Sequence, residues 1–412
     1  MSLENSRVRP DWWIVALLWG AFFLNQADRQ VYNVVLPLIQ AELHLSSAAM
    51  GLVASIFTLA YGLLVPFAGI AGDTFNRRWV IVASLLVFSL GTVTTALAST
   101  LIMLIICRGV ATGAGEAFYA PAASALIAET HVETRGRALA VHQTANYTGI
   151  VLGSLITGWI AERFGWRASF LVYGITGIFW ALVIAAAAKR APRVIRPAVK
   201  MSSQVRELGS SMRYVARSPR LLAQLLAFGG LVFGLTGFLT WTPTLLHERF
   251  GLSITEAGFS AVFYHHLLAY ISLLASSAVT DLLIRRFPRV RLLFMAGGLI
   301  LSAPAILLAA RADSLWIVYL GFALYGLCRG VYDAGLFAAI FDEVDDARRS
   351  TVIGLLISSG FLIGAAAPVV MGAMKARYGL EAGLAMIAVV QIIAGAILLA
   401  ATLRPPSSRY EN

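Results

Sequence analysis

Six ionisable side chains stand inside stretches that are otherwise apolar: Asp28, Arg29, Arg108, Glu116, Arg329 and Asp333. Placing such a group in a bilayer costs about 2.5–3.5 kcal/mol on insertion scales, and intramembrane charges usually mark functional sites. Arginine keeps its charge and offers a planar fork that matches a carboxylate or phosphate. Arg29, Arg108 and Arg329 in one cavity would therefore favour an anion. Asp28 and Glu116 can change charge when desolvated or when a neighbouring charge moves, which makes them candidate proton carriers. Arg329 and Asp333 are one turn apart and can pair on one helix face. Asp333 then either neutralises Arg329 or joins the proton chemistry. Asp28 and Arg29 diverge by about 100° on a helix, so one faces a cavity and the other a neighbouring helix. The alternative to a site is structural pairing that docks one part of the chain on another.

Polar and aromatic groups could complete the cavity. The candidates are Tyr32, Gln143, Asn146, Tyr147, Trp241 and His265, with Asn25, His142 and His266 beside them. Gln143, Asn146 and Tyr147 share one face by their i, i+3, i+4 spacing. His265 and His266 are adjacent and can send at most one ring inward, and His265 is the one placed in the candidate set. For any single member, helix–helix hydrogen bonding is the plainer role. No metal-ligand spacing, nucleophile–base pair or phosphate loop is present, so neither an enzyme nor a cofactor is expected.

Long apolar elements must hold these groups. Of 412 residues, 59% are hydrophobic and 13% charged, with mean hydropathy +0.78. A soluble domain carries about a quarter charged residues, so soluble enzymes and disordered chains are excluded. Two cysteines, Cys107 and Cys328, build no disulfide framework. A spanning helix needs roughly 20 apolar residues. Twelve stretches qualify, near 12–36, 48–72, 79–98, 101–128, 136–161, 167–188, 221–246, 257–282, 291–310, 314–340, 350–374 and 379–403. The expected fold is an all-α integral membrane protein with twelve transmembrane helices in two pseudo-symmetric six-helix bundles, 1–188 and 221–412, joined by a basic linker at 189–220. With the amino terminus inside, 23 of the 32 Lys and Arg residues fall on the cytoplasmic side and 6 on the other. That asymmetry predicts both termini cytoplasmic. The net charge of +11 therefore reads as topology and not as nucleic-acid binding. The short loops suit a bacterial inner membrane, and part of the linker is expected to lie on anionic lipid.

The chain repeats itself. Cys107-Arg108-Gly109-Val110 recurs as Cys328-Arg329-Gly330-Val331 in the fourth helix of each half. Asp73 with Arg77 and Arg78 recurs as Asp281 with Arg285 and Arg286 after the second helix. Pro37 and Pro243 sit near the ends of the two first helices. Two parallel repeats with a site between them characterise one large transporter class. Gly149, Gly153 and Gly158 in the fifth helix suit close helix packing.

Gly69-Ile70-Ala71-Gly72-Asp73-Thr74-Phe75-Asn76-Arg77-Arg78 resembles the loop between helices 2 and 3 of the major facilitator superfamily, and Thr134-Arg135-Gly136-Arg137-Ala138 resembles the loop after helix 4. The resemblance covers the whole chain. It implies that Asp73, Arg77, Arg78, Asp281 and Arg285 latch an inner gate. Asn25-Gln26-Ala27-Asp28-Arg29 and Thr112-Gly113-Ala114-Gly115-Glu116-Ala117 are similar to the anion:cation symporters. Spinster-like lysolipid transporters carry a similar Asp-Arg pair and Glu. The first likeness implies proton-coupled symport of a small organic anion, such as a sugar acid, by a monomer working through alternating access. The second implies a lysophospholipid or sphingolipid cargo. In both branches the helix-4 arginine usually precedes the glutamate by seven residues, whereas Arg108 and Glu116 are eight apart. On an ideal helix eight residues rotate two side chains about 80° from each other, which a local distortion around Gly109, Gly113 and Gly115 would have to absorb.

Overall fold

The computed structural model describes residues 12–189, 201–345 and 348–403. Arg7, Arg9, Arg404, Arg409 and the linker residues 190–200 lie outside them. The described residues are almost entirely helical, because backbone polar groups in a bilayer must be satisfied within the segment. The first half comprises α1 (Trp12–Leu43), α2 (Ser47–Thr74), α3 (Arg77–Thr95), a composite fourth span, α7 (Arg135–Phe164) and α8 (Trp166–Lys189). The fourth span runs through α4 (Leu101–Leu104), a π-helical segment (Ile105–Thr112), α5 (Gly113–Ala117) and α6 (Tyr119–Thr130). After the linker helix α9 (Met201–Arg217), the second half comprises α10 (Pro219–Phe250), α11 (Ile254–Leu283), α12 (Val290–Arg311), α13 (Leu315–Glu343), α14 (Arg349–Gly364) and α15 (Ala366–Leu403). The eleventh span runs through α14 into α15, which breaks at Gly379, φ 76°, before the twelfth.

Twelve spans result. Among the described residues nine helical stretches are long and apolar enough to cross a membrane on hydropathy alone, and one of these, Arg349–Leu403, holds two crossings. The other two crossings are α1 and α7, with 32 and 30 residues. They miss on hydropathy because they carry Asn25, Gln26, Asp28, Arg29 and Gln30, and Gln143 and Asn146.

Local signals set the ends. Ser46, Asn76, Thr100 and Ser218 each accept a hydrogen bond from the first turn of α2, α3, α4 and α10, which satisfies orphan donors. The chain turns through positive φ at His44, Gly165, Gly251 and Gly379. His44 and Gly251 follow the first span of each half, and Gly165 and Gly379 follow the fifth. The turns thus obey the same repeat as the sequence.

Packing differs between the two ends of the molecule. On the side away from the linker, one apolar cluster joins the halves: Val34, Val35 and Ile39 of α1 pack with Phe238 and Leu245 of α10, Ile254 of α11 and Met371 of α15. There the backbone N–H of Thr255 donates to Glu162 at 2.7 Å, and that of Val369 donates to Ser55 at 3.0 Å. On the linker side the core is divided. One cluster centres on Val15, Leu85, Phe88 and Ile127, and a separate one on Leu231, Met295, Leu336 and Leu356. A Cβ placed on Gly69, Gly136 or Gly354, all on that side, would meet nothing within 4 Å. The halves are therefore joined at one end and, beyond a contact of Tyr61 and Val65 on α2 with Ile357 and Phe361 on α14, parted at the other, with a cavity of about 470 Å³ between them.

Candidate functional site

Arg29, Arg108 and Arg329 all line this cavity, together with Tyr32, Gln143, Asn146, Tyr147 and Asp333. Its size falls within the roughly 300–1,000 Å³ of small-molecule sites. The two repeated arginines reach it from opposite halves because each is followed by a glycine against a neighbouring helix. Gly109 faces Ile56 of α2, and Gly330 faces the Ala269 carbonyl of α11.

The N-terminal half holds a linked charge network. Asp28 points away from the cavity, 2% exposed. It accepts from Arg108 Nη1 at 2.8 Å and from the Thr92 hydroxyl of α3 at 2.8 Å. Arg29, its neighbour, turns to the cavity and pairs through Nε with Glu116. Arg108 Nη2 donates to the Arg29 carbonyl at 3.2 Å. The Arg29 guanidinium also sits 4.3 Å from the centre of the Tyr61 ring, and that of Arg108 sits 4.7 Å from the Phe57 ring. Such cation–π contacts gain strength when desolvated.

The eight-residue spacing is absorbed by the π segment, Ile105–Thr112, which begins just before Arg108 and ends just before Gly113. A π turn closes i→i+5 instead of i→i+4 and accommodates extra residues in a helix. The Thr112 hydroxyl donates to the Cys107 carbonyl, five residues back, at 2.9 Å. Arg108 and Glu116 thereby both close on Arg29.

In the C-terminal half Arg329 Nε pairs with Asp333 Oδ2 at 3.1 Å. Fully ionised, the three arginines and three acids sum to zero. An incoming anion must share an arginine or displace a carboxylate from it. Among the described residues, two buried atoms on these groups, Glu116 Oε1 and Arg329 Nη1, have no hydrogen-bond partner, and neither has Nε2 of His266.

Of the candidates for the substrate site itself, Trp241 and His265 do not line the cavity. Trp241 is 1% exposed, and its indole N–H donates to the Pro368 carbonyl at 2.9 Å. It belongs to the apolar cluster that joins the halves, where a large ring with one polar handle packs well. His265 is fully buried against Phe238 and Tyr325, both with centroids about 5 Å away. Its neighbour His266 lines the cavity instead, since adjacent rings on a helix diverge by about 100°. Asn25 and His142 are buried too, His142 stacked on Phe22.

The loop residues tie elements within each half. Arg77 pairs with Glu129 at the end of α6 and donates to the Gly72 and Ala125 carbonyls. The Arg78 backbone N–H is capped by Asn76 at 3.0 Å. In the second half Asp281 lies 3.9 Å from Arg291, which pairs with Asp342, while Arg285 is exposed. The acid of the second copy thus meets an arginine of α12 rather than the one four residues on. Phe57, Tyr61 and Thr92 are functional neighbours that the pattern of charges did not reveal. A polar Thr inside an apolar span was the available signal for Thr92, whereas aromatic residues in a span carry none.

Twelve spans in two pseudo-symmetric halves around a central cavity that charged side chains reach define the architecture of a secondary transporter. The chain belongs to the Major Facilitator Superfamily, whose description matches residues 18–312 and 266–412. It is 26% identical over 388 residues to the hexuronate transporter of Bacillus subtilis (strain 168), covering 91% of this chain and 90% of that protein. It is 28% identical over 408 residues to the cis,cis-muconate transport protein of Acinetobacter baylyi, covering 96% and 95%. Among solved structures it matches a bacterial homologue of the human lysosomal transporter Spinster in an inward-facing, unoccupied conformation, with TM-score 0.81, 21% identity and coverage of 97% and 98%. The protein is a multi-pass membrane transporter related to transporters of organic anions.

Proposed function

We propose that this protein carries a small organic anion, a sugar acid or other carboxylate, together with protons by alternating access. The observation that carries the reading is the arrangement of Arg29: it faces the cavity and is neutralised by Glu116 behind it. A substrate carboxylate that takes the Arg29 fork leaves Glu116 without its counter-charge. Glu116 already has one oxygen with no partner among the described residues, and a buried carboxylate left unpaired is costly. Protonation relieves that cost, so anion and proton enter together. Asp28 on Arg108 and Asp333 on Arg329 offer two further exchanges of the same kind.

The packing fits this cycle. The side joined by a single core is the closed gate, and the linker side, where the core is divided, is the open one. The Lys and Arg asymmetry supports a linker and both termini on the cytoplasmic side, and the short loops suit a bacterial inner membrane. The described conformation is then inward-facing, and rocking of the halves about the arginines returns the site to the outside. Arg77 with Glu129, and Asp281 with Arg291, hold the cytoplasmic helix ends during that motion. A monomer contains all these parts.

A second reading has one observation behind it. Part of the cavity wall from α10, α13 and α14 is apolar, including Phe228, Leu235, Phe337 and Phe361, which would suit the chain of a lysolipid. Thermal stabilisation of the purified protein separates the readings, because a ligand that binds only the folded state stabilises it in proportion to ln(1 + [L]/Kd). Sugar acids and dicarboxylates are expected to stabilise it more at acidic than at neutral pH. Stabilisation by lysophospholipids alone would favour the second reading.

A further inference from the structure

We propose that His266 is a specificity-determining residue that accepts a hydrogen bond from a substrate hydroxyl, so that the transported anion is a hydroxy acid. This rests on the organic-anion reading and narrows it.

The tautomer of His266 follows from its neighbours. Its Nδ1 lies 2.9 Å from the Val262 carbonyl, one turn back on α11, and 3.3 Å from Nδ1 of His265. A carbonyl can only accept, so Nδ1 carries the hydrogen and donates it. In the uncharged ring Nε2 then bears only a lone pair and can only accept. A charged ring would stand beside the fixed charge of Arg329, with its Nε2–H given to nothing. His266 is 2% exposed, and Nε2 has no partner among the described residues.

Arg329 stands next to it by construction. Gly326 and Gly330 of α13 lie against the backbone of His265 and Ala269 of α11, and Cβ atoms there would force the helices apart. This close approach sets Arg329 beside the α11 face that carries His266, and both line the cavity. Arg329 spends its Nε on Asp333, while its buried Nη1 donates to nothing among the described residues. Beneath the surface of the C-terminal wall there are therefore, among the described residues, one unsatisfied donor with a positive charge and one unsatisfied acceptor without charge. A carboxylate satisfies the first and repels the second. A carboxylate bearing a nearby hydroxyl satisfies both. Gln143 and Asn146 on the facing wall add amides that can both donate to and accept from further hydroxyls.

The two relatives differ in this feature: a hexuronate carries hydroxyls, and cis,cis-muconate has none. The chemistry of His266 places this chain's substrate with the former.

The test is binding to the full-length protein in detergent, using two pairs of acids matched in chain length: glucarate with adipate, and gluconate with hexanoate. Wild-type protein is expected to bind the hydroxylated member at least about tenfold more tightly, the size of one buried hydrogen bond. His266→Phe, which keeps a ring near Tyr147, is expected to narrow that preference, weakening the hydroxylated acid more than its matched partner. His266→Gln, whose amide oxygen accepts, is expected to restore part of it. Equal wild-type affinities within each pair would overturn the inference and leave the organic-anion reading standing, as would an undiminished preference in His266→Phe. Binding of none of the four acids, with lysolipid bound instead, would overturn both.

Discussion

Arg108 and Glu116 stand eight residues apart on one span, yet both converge on Arg29, the first through the Arg29 carbonyl and the second through its guanidinium. The π segment between Leu104 and Gly113 makes that convergence possible. It takes up the residue that would otherwise turn the two side chains apart.

This relationship predicts opposite outcomes for two single-residue deletions. Deleting Val110 shortens the Arg108–Glu116 spacing to the seven residues that an α-helix brings to within about 20° of one face. Deleting Ile106 removes a residue on the other side of Arg108 and leaves the longer spacing on a regular helix, about 80° out of register. Both residues are largely exposed on the outer surface of the span, so neither deletion opens the core. Uptake by the first variant is expected to persist and by the second to be lost, with similar membrane expression. Equal loss would show that the π segment does not serve register.

The Asp28–Arg108 pair gives a stability prediction. Both side chains are 2–3% exposed. Arg108→Ala leaves a buried charge unpaired, and breaking such a pair costs about 3–5 kcal/mol. Combining Asp28→Asn with Arg108→Gln removes both charges and is expected to recover most of that loss in thermal melts, even though transport stays absent. Additive destabilisation would argue that the pair contributes little.

Close approach of α11 and α13 predicts a steric effect. Gly326→Val sets a side chain against the His265 carbonyl, and overpacking of this kind costs about 1–3 kcal/mol. Gly354→Ala, where nothing lies within 4 Å, is the matched control and is expected to leave both melting and uptake near wild type. A large loss in the control would place a contact at Gly354 in another state of the cycle.

Much of this was legible in the amino-acid sequence, for reasons that can be named. Apolar stretches of spanning length gave all twelve helices, because the bilayer imposes one length and one composition. The cost of burying charge singled out the six ionisable groups, and the repeat put Arg108 and Arg329 on opposite walls. Pairing was harder. That Asp28 meets Arg108 and Arg29 meets Glu116 depends on the rotation of α1 against the fourth span, and the π segment alters that rotation. Helical spacing could not decide between His265 and His266, since the answer lies in the contact with Gly326. Trp241 looked like a cavity residue by type but is taken up by the apolar cluster that joins the halves, where Pro368 accepts its N–H.

The role of Glu116 predicts a separation of coupling from movement. Glu116→Gln keeps the shape and hydrogen-bonding reach of the side chain but cannot exchange a proton. Substrate exchange across vesicles at equal pH is expected to continue, while uptake loses its dependence on pH. A variant that still concentrates substrate with a proton gradient would move the coupling role to Asp28 or Asp333.

The most direct measurement is uptake of a hexuronate into proteoliposomes containing the wild-type protein, with and without an imposed pH gradient. The account predicts accumulation above the external concentration when the outside is acidic, collapse of that accumulation with a protonophore, and no accumulation in Arg29→Ala. Uptake that only equilibrates with the external concentration, whatever the pH gradient, would contradict it.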